Sequence, residues 1–160
     1  IDGYDVALIE LWNPINFKLS EARPVCLPTA GSYYDQVEAT VVGWGITSWF
    51  SYLPSHVLME VDIPTITNEK CDKIYSGFKI KDNMICAGYD DRGTGGCLGD
   101  SGGPLLTKED EHYTQIGILS FATDRMFSNP GCRAATGYTR VNSVLDWIEE
   151  TSKSGKTCQS

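Results

Sequence analysis

The sequence has no long apolar run. No stretch approaches the ~18 consecutive apolar residues of a transmembrane helix, which excludes a helical membrane span. Positive charge is also scarce. Lys and Arg number 13 against 21 Asp and Glu, for a formal net charge of −8. Phosphate backbones are bound by clustered Lys and Arg, so a nucleic-acid partner is not expected. There are only two histidines, and none of the six cysteines form a Cys-x-x-Cys pair. Zinc-type spacing is therefore missing, and no metal or other cofactor is expected. No Asn-x-Ser/Thr site is present, so N-glycosylation is not expected. The first residues carry no basic stretch followed by an apolar one, so no signal peptide is expected within this chain. Internal repeats and low-complexity tracts are absent.

What remains is ordinary globular usage: 160 residues, 41% apolar and 21% charged, the size of one domain. Six cysteines without metal spacing read as disulfides, and disulfides place the chain in an oxidising, extracellular compartment. Short apolar stretches recur between turn clusters. They are Val6–Ile9, Thr40–Gly43, Leu58–Val61, Met84–Cys86, Pro104–Thr107, Gln115–Leu119 and Thr136–Thr139, with breakers such as Ala30-Gly31-Ser32 and Asn129-Pro130-Gly131 between them. Many short strands at such spacing predict an all-β barrel or sandwich. Val141, Val144, Leu145 and Ile148 recur at helical steps and predict a C-terminal helix, with Asn142 or Ser143 as its cap. A second, short helix is predicted to begin at Thr67. If Val6 to Leu11 is a buried strand, its neighbours must come from elsewhere, which points to a fragment or one subunit of something larger.

The stretch with chemical content is Gly95-Gly96-Cys97-Leu98-Gly99-Asp100-Ser101-Gly102-Gly103-Pro104. A nucleophilic hydroxyl must be exposed on a sharp turn, with backbone N–H groups converging on the oxygen of the attacked carbonyl. Glycines permit both the turn and the close approach. A plain Gly-Ser loop has the same composition, and the wider sequence decides between the two readings. Gly99-Asp100-Ser101-Gly102-Gly103-Pro104 resembles the nucleophile motif of the chymotrypsin/trypsin family of serine endopeptidases. Asp5-Val6-Ala7-Leu8-Ile9-Glu10-Leu11 resembles that family's catalytic-aspartate strand, and Arg23-Pro24-Val25-Cys26-Leu27-Pro28 the link between its two barrels. Gly43-Trp44-Gly45, Met84-Ile85-Cys86-Ala87-Gly88, Gly137-Tyr138-Thr139-Arg140-Val141 and Asp146-Trp147-Ile148 match further family segments in the same order.

The resemblance implies a trypsin-like double antiparallel β-barrel. Residues 1–28 would supply the end of the first barrel and the link, and residues 29–160 the second barrel with its C-terminal helix. Ser101 would be the nucleophile, Asp5 would orient the histidine base, and the N–H groups of Gly99 and Ser101 would form the oxyanion hole. Asp100 would pair with an amino terminus created by proteolytic activation of a zymogen. Gly95, Gly96, Leu98, Ser120, Phe121, Ala122 and Thr136 would contact substrate. With Gly95 at the pocket floor, small or medium apolar residues would be preferred before the cut. Cys71–Cys86 and Cys97–Cys132 match family disulfides. Cys26 would tether a companion chain, with a Cys26–Cys158 bridge as the alternative.

A serine hydroxyl needs a general base. In this family the histidine precedes the aspartate, whereas His56 and His112 both follow Asp5 and sit in surface-type loops. The expected arrangement is thus a secreted, cleaved endopeptidase whose companion chain carries the first barrel and the histidine. Its other partners would be protein or peptide substrates and protein protease inhibitors. A catalytically silent homologue acting as a binding or cofactor module is the alternative.

Overall fold

The computed structural model describes residues 3–47, 53–76, 78–89, 94–122, 135–152, 155, 157 and 158. Within them, six strands close into an antiparallel barrel. They are β1 (Glu38–Gly43), β2 (Met59–Ile66), β3 (Met84–Ala87), β4 (Pro104–Glu109), β5 (His112–Phe121) and β6 (Thr136–Arg140), in the spatial order β1-β2-β3-β6-β5-β4. Helix α1 (Asn68–Ile74) follows β2, and a 3₁₀ turn (Val141–Val144) leads from β6 into helix α2 (Leu145–Thr151).

Successive side chains of a strand point to opposite faces, and that alternation fills the barrel. Ala39 and Val41 of β1, Ile63 of β2, Leu105 of β4 and Ile116 and Leu119 of β5 meet Ile85, Ala87 and Tyr138 in one buried cluster. All four residues of β3 are buried because that strand is covered twice. Ile85 and Ala87 face the barrel interior, while Met84 and Cys86 face a second cluster with Cys71 and Tyr75, beneath α1. The Cys71–Cys86 disulfide pins α1 to that strand. Thr67 caps α1, its hydroxyl accepting from the Lys70 N–H.

Strand β5 carries two register irregularities. One lies opposite Leu105/Leu106 of β4 and one falls between Leu119 and Phe121 against β6. Leu119 pairs with Tyr138 and Phe121 with Gly137, so Ser120 is an inserted, unpaired residue. Bulges of this kind bend a strand and re-aim a side chain.

Three sequence expectations change. Val6 to Leu11 forms no strand here, because a ladder needs neighbours and none of the described residues lies beside it as a strand. Asn142 and Ser143 do not cap α2. The Asn142 amide donates instead to the carbonyls of Thr29 and Ser32, and the Ser143 hydroxyl donates to Arg140 O. Cys26 is bonded within the chain to Cys158 rather than to a companion. Cys26 lies along the start of β5, donating to Tyr113 O and accepting from Gln115 N, and the tail reaches it through a Cys158 N–H to Val25 O bond of 3.2 Å. Among the described residues, no helix is long and apolar enough to cross a membrane.

Candidate active site

The loop between Gly95 and Pro104 is built around one carboxylate. Asp100 accepts from the Gly45 N–H at 2.7 Å through Oδ1 and from the Cys97 N–H at 2.9 Å through Oδ2. A Cβ on either Gly43 or Gly45 would overlap the Asp100 carboxyl, so the Gly-Trp-Gly turn exists to admit that group. Gly99 takes φ +95°, a conformation that side chains disfavour, and packs its Cα edge on Gly45. The Leu98 carbonyl accepts from Ile46 N at 2.9 Å, which joins the loop to the same turn. Ser101 is exposed at the apex.

The other side of the loop is stitched to β5. Gly102 N donates to Leu119 O, and Leu119 N donates to Gly103 O, both at 2.9 Å. The next residue, Ser120, is the inserted one of the bulge, and its hydroxyl donates to Asp5 Oδ2 at 2.8 Å. Thr139 Oγ1 holds the Asp5 carbonyl at 2.9 Å. Asp5 and the loop that carries Ser101 are separated by most of the sequence, yet both are fastened to adjacent residues at one end of β5. Ser120 was expected only as a substrate contact. Its hydroxyl bond to Asp5 was not legible, because a bulge leaves no periodic signal.

The candidate pocket residues lie beside this point. Gly95 is partly buried. A Cβ there would have Ile63 Cδ1 and Thr136 Oγ1 as its nearest neighbours, at 3.8 and 4.0 Å. Gly96 is buried against Leu119 and the Tyr138 hydroxyl. Thr136 is buried, and its hydroxyl donates to Tyr138 Oη at 2.8 Å. Leu98 is half exposed, and Ala122 is partly buried. Phe121 lies over Gly137 and turns into the second cluster, edge-on to Tyr75 and Phe78 with centroids 5.4 Å apart in each pair. Ile63 is a neighbour that the sequence did not single out. Burial lifts the Tyr138 phenol above its usual range, and the Asp100 charge adds to this, partly offset by the Thr136 hydrogen bond. A neutral phenol therefore sits below the loop.

His56 and His112 are both exposed, and His112 pairs with Glu109 at the β4–β5 hairpin. Cys97 is disulfide-bonded; Cys132, its partner by resemblance, lies outside the described residues. Among the described residues, no group of His, Cys, Asp and Glu has the makings of a metal site.

Comparison with known proteins agrees with this geometry. The family model described as Trypsin matches residues 2–148. The chain is 36% identical over 150 residues to coagulation factor XI of Bos taurus, covering 92% of this chain and 23% of that protein. It is 38% identical over 153 residues to the serine proteinase stubble of Drosophila melanogaster, covering 92% of this chain and 19% of that protein. The chain thus spans about a fifth of the length of these curated relatives. With the Asp5–Ser120 contact, the caged Asp100 and the exposed Ser101 arranged on a closed six-stranded barrel, this chain belongs to the chymotrypsin/trypsin-like serine protease family.

Proposed function

We propose that the protein containing this chain is a secreted serine endopeptidase. The observation that carries the reading is the convergence of Asp5 and the Ser101 loop on Ser120 and Leu119 of β5. Asp5 Oδ2 is taken by Ser120, which leaves Oδ1 for the N–H of an imidazole. A histidine donated by a companion chain carrying the first barrel would bridge Asp5 to the Ser101 hydroxyl and remove its proton as that oxygen attacks the peptide carbonyl. Among the described residues, the Gly99 and Ser101 N–H groups have no protein acceptor, which suits them to the oxyanion of the tetrahedral intermediate. Collapse of that intermediate releases the amine with the proton held by the imidazole, and water then hydrolyses the acyl-Ser101 ester.

In this reading Asp100 is the residue that orders the oxyanion loop. On activation, the new amino terminus would join the Gly45 and Cys97 amides that already hold the Asp100 carboxylate. Among the described residues, the groups nearest Gly95 are Ile63 and the Thr136 hydroxyl, neither of them charged, which favours small or medium apolar residues before the cut. The two-barrel assembly, protein substrates and protein inhibitors follow from the same reading.

The test is covalent. A fluorophosphonate applied to the full-length protein is expected to label Ser101, located by mass spectrometry of the peptide, and Ser101→Ala is expected to abolish labelling and peptide hydrolysis. A folded full-length protein that resists the probe would overturn the enzyme reading in favour of a silent homologue that binds.

A further inference from the structure

On the Asp5 side of the barrel, away from the nucleophile loop in sequence, a cleft of about 760 Å³ is lined by Tyr4, Tyr33, Lys81, Asp82, Arg140 and Asn142, among others. Its charged floor is Arg140, whose side chain is only 6% exposed. Most of that guanidinium is committed. Nε donates to Met84 O at 3.1 Å, Nη2 lies 3.5 Å from Asp35 Oδ1, and the Tyr33 ring covers its face with the centroid 5.5 Å away. Nη1 is buried and has no acceptor among the described residues. Arginine cannot shed a proton to relieve this, and a buried charged donor without an acceptor is costly. The wall beside it is rigid. Asn142 ties the 29–32 turn to the residues after β6, donating to Thr29 O and Ser32 O while its own oxygen accepts from Gly31 N.

We propose that this cleft is a binding site for the carboxylate side chain of a peptide ligand, separate from the candidate active site. The carboxylate accepts from Arg140 Nη1. Tyr33 is about two-thirds exposed, so it can rotate off the guanidinium to admit the carboxylate and pack on the peptide as the first aromatic wall. Tyr4, 63% exposed, forms the second aromatic wall against apolar neighbours of the bound acid. A planar guanidinium recognises a carboxylate by geometry as well as charge. Asp82 in the lining and Asp35 behind the guanidinium repel further negative charge, so the site takes one carboxylate rather than a phosphate dianion or a polyanion. Tyr4 immediately precedes Asp5, and Arg140 follows Thr139, which holds the Asp5 carbonyl. The site is therefore an exosite, and it stands whether or not Ser101 is reactive.

The probe is acetyl-Tyr-Glu-Leu-amide, with its Gln counterpart as control. Each is titrated by calorimetry into the full-length protein carrying Ser101→Ala, so that no peptide is cleaved. Saturable binding of the Glu peptide with a Kd of about 1 mM or tighter is expected, with the Gln peptide at least about tenfold weaker. Tyr33→Ala and Lys81→Glu, both at the cleft, are expected to weaken the Glu peptide by about tenfold while leaving the circular dichroism unchanged. Arg140→Lys is expected to abolish the Glu/Gln preference, because an ammonium does not reproduce the fork. Should Arg140→Lys fail to fold, the other two variants still decide. Equal affinity for the Glu and Gln peptides, or Glu binding untouched by both Tyr33→Ala and Lys81→Glu, overturns the proposal.

Discussion

Ile85 in β3 and Trp12 in the leading segment are both large apolar side chains, yet Ile85 is wholly buried and Trp12 is 98% exposed. The contrast extends to their surroundings. The β3 backbone is paired on both sides, with β2 and with β6. Residues 4–20 have no ladder at all, and they expose Tyr4, Leu8, Ile9, Leu11, Trp12, Ile15 and Leu19. The segment is held at its start by the bonds to Asp5, and further along by local contacts such as Leu19 N and Ser20 N to Asn16 O. An apolar pattern buries itself only when the chain also supplies the facing surface. An exposed run this rich in apolar side chains has the character of an interface awaiting a partner.

Ile85→Ala gives the largest effect expected from this contrast: a loss of about 2–5 kcal/mol of stability by denaturant unfolding, from the cavity it leaves among the barrel residues. Cys158→Ser comes next. Opening the Cys26–Cys158 bridge should cost about 2–4 kcal/mol, and peptide mapping without reduction should recover residues 26 and 158 in one linked pair. A linkage of Cys26 to another polypeptide would instead overturn the bridge seen within the chain.

A pH dependence sharpens the difference further. Burial raises the phenols of Tyr75 and Tyr138 above their unfolded value of 10.0, aided in Tyr138 by Asp100. A raised folded-state pKa stabilises fully below the unfolded pKa and is lost as pH rises through the folded one. The urea midpoint should therefore fall progressively above pH 10, and Tyr138→Phe should flatten that decline. The smallest effect is expected for Trp12→Ala, within about 0.5 kcal/mol for the barrel itself. If the chain docks a companion as proposed above, the same change should weaken that association.

Much of the barrel was legible in the sequence. The apolar stretches from Thr40 through Thr139 fall within the six strands, save Leu58, which lies one residue before β2, because each has turn residues at its ends and neighbours to pair with. Thr67 announced α1 because capping is local. Val6 to Ile9 has the same pattern and fails as a strand, since pairing is a property of the surroundings. Asn142 looked like a helix cap and instead serves a turn more than a hundred residues earlier in the chain. The Gly99–Pro104 motif located the glycine-lined loop that exposes Ser101. The bulge that turns Ser120 toward Asp5, the Gly45 and Cys97 amides that cage Asp100, and the orphaned Arg140 nitrogen depend on three-dimensional contacts that no periodicity encodes.

Closure of the sheet has one more consequence. Each strand of the ring pairs on both sides over part of its length, and Cys26 occupies the open start of β5, so a second polypeptide finds little bare edge from which to lengthen the sheet. It must fit against side chains, which makes its grip a matter of shape. It can then be exchanged or lost while the ring keeps every one of its rungs.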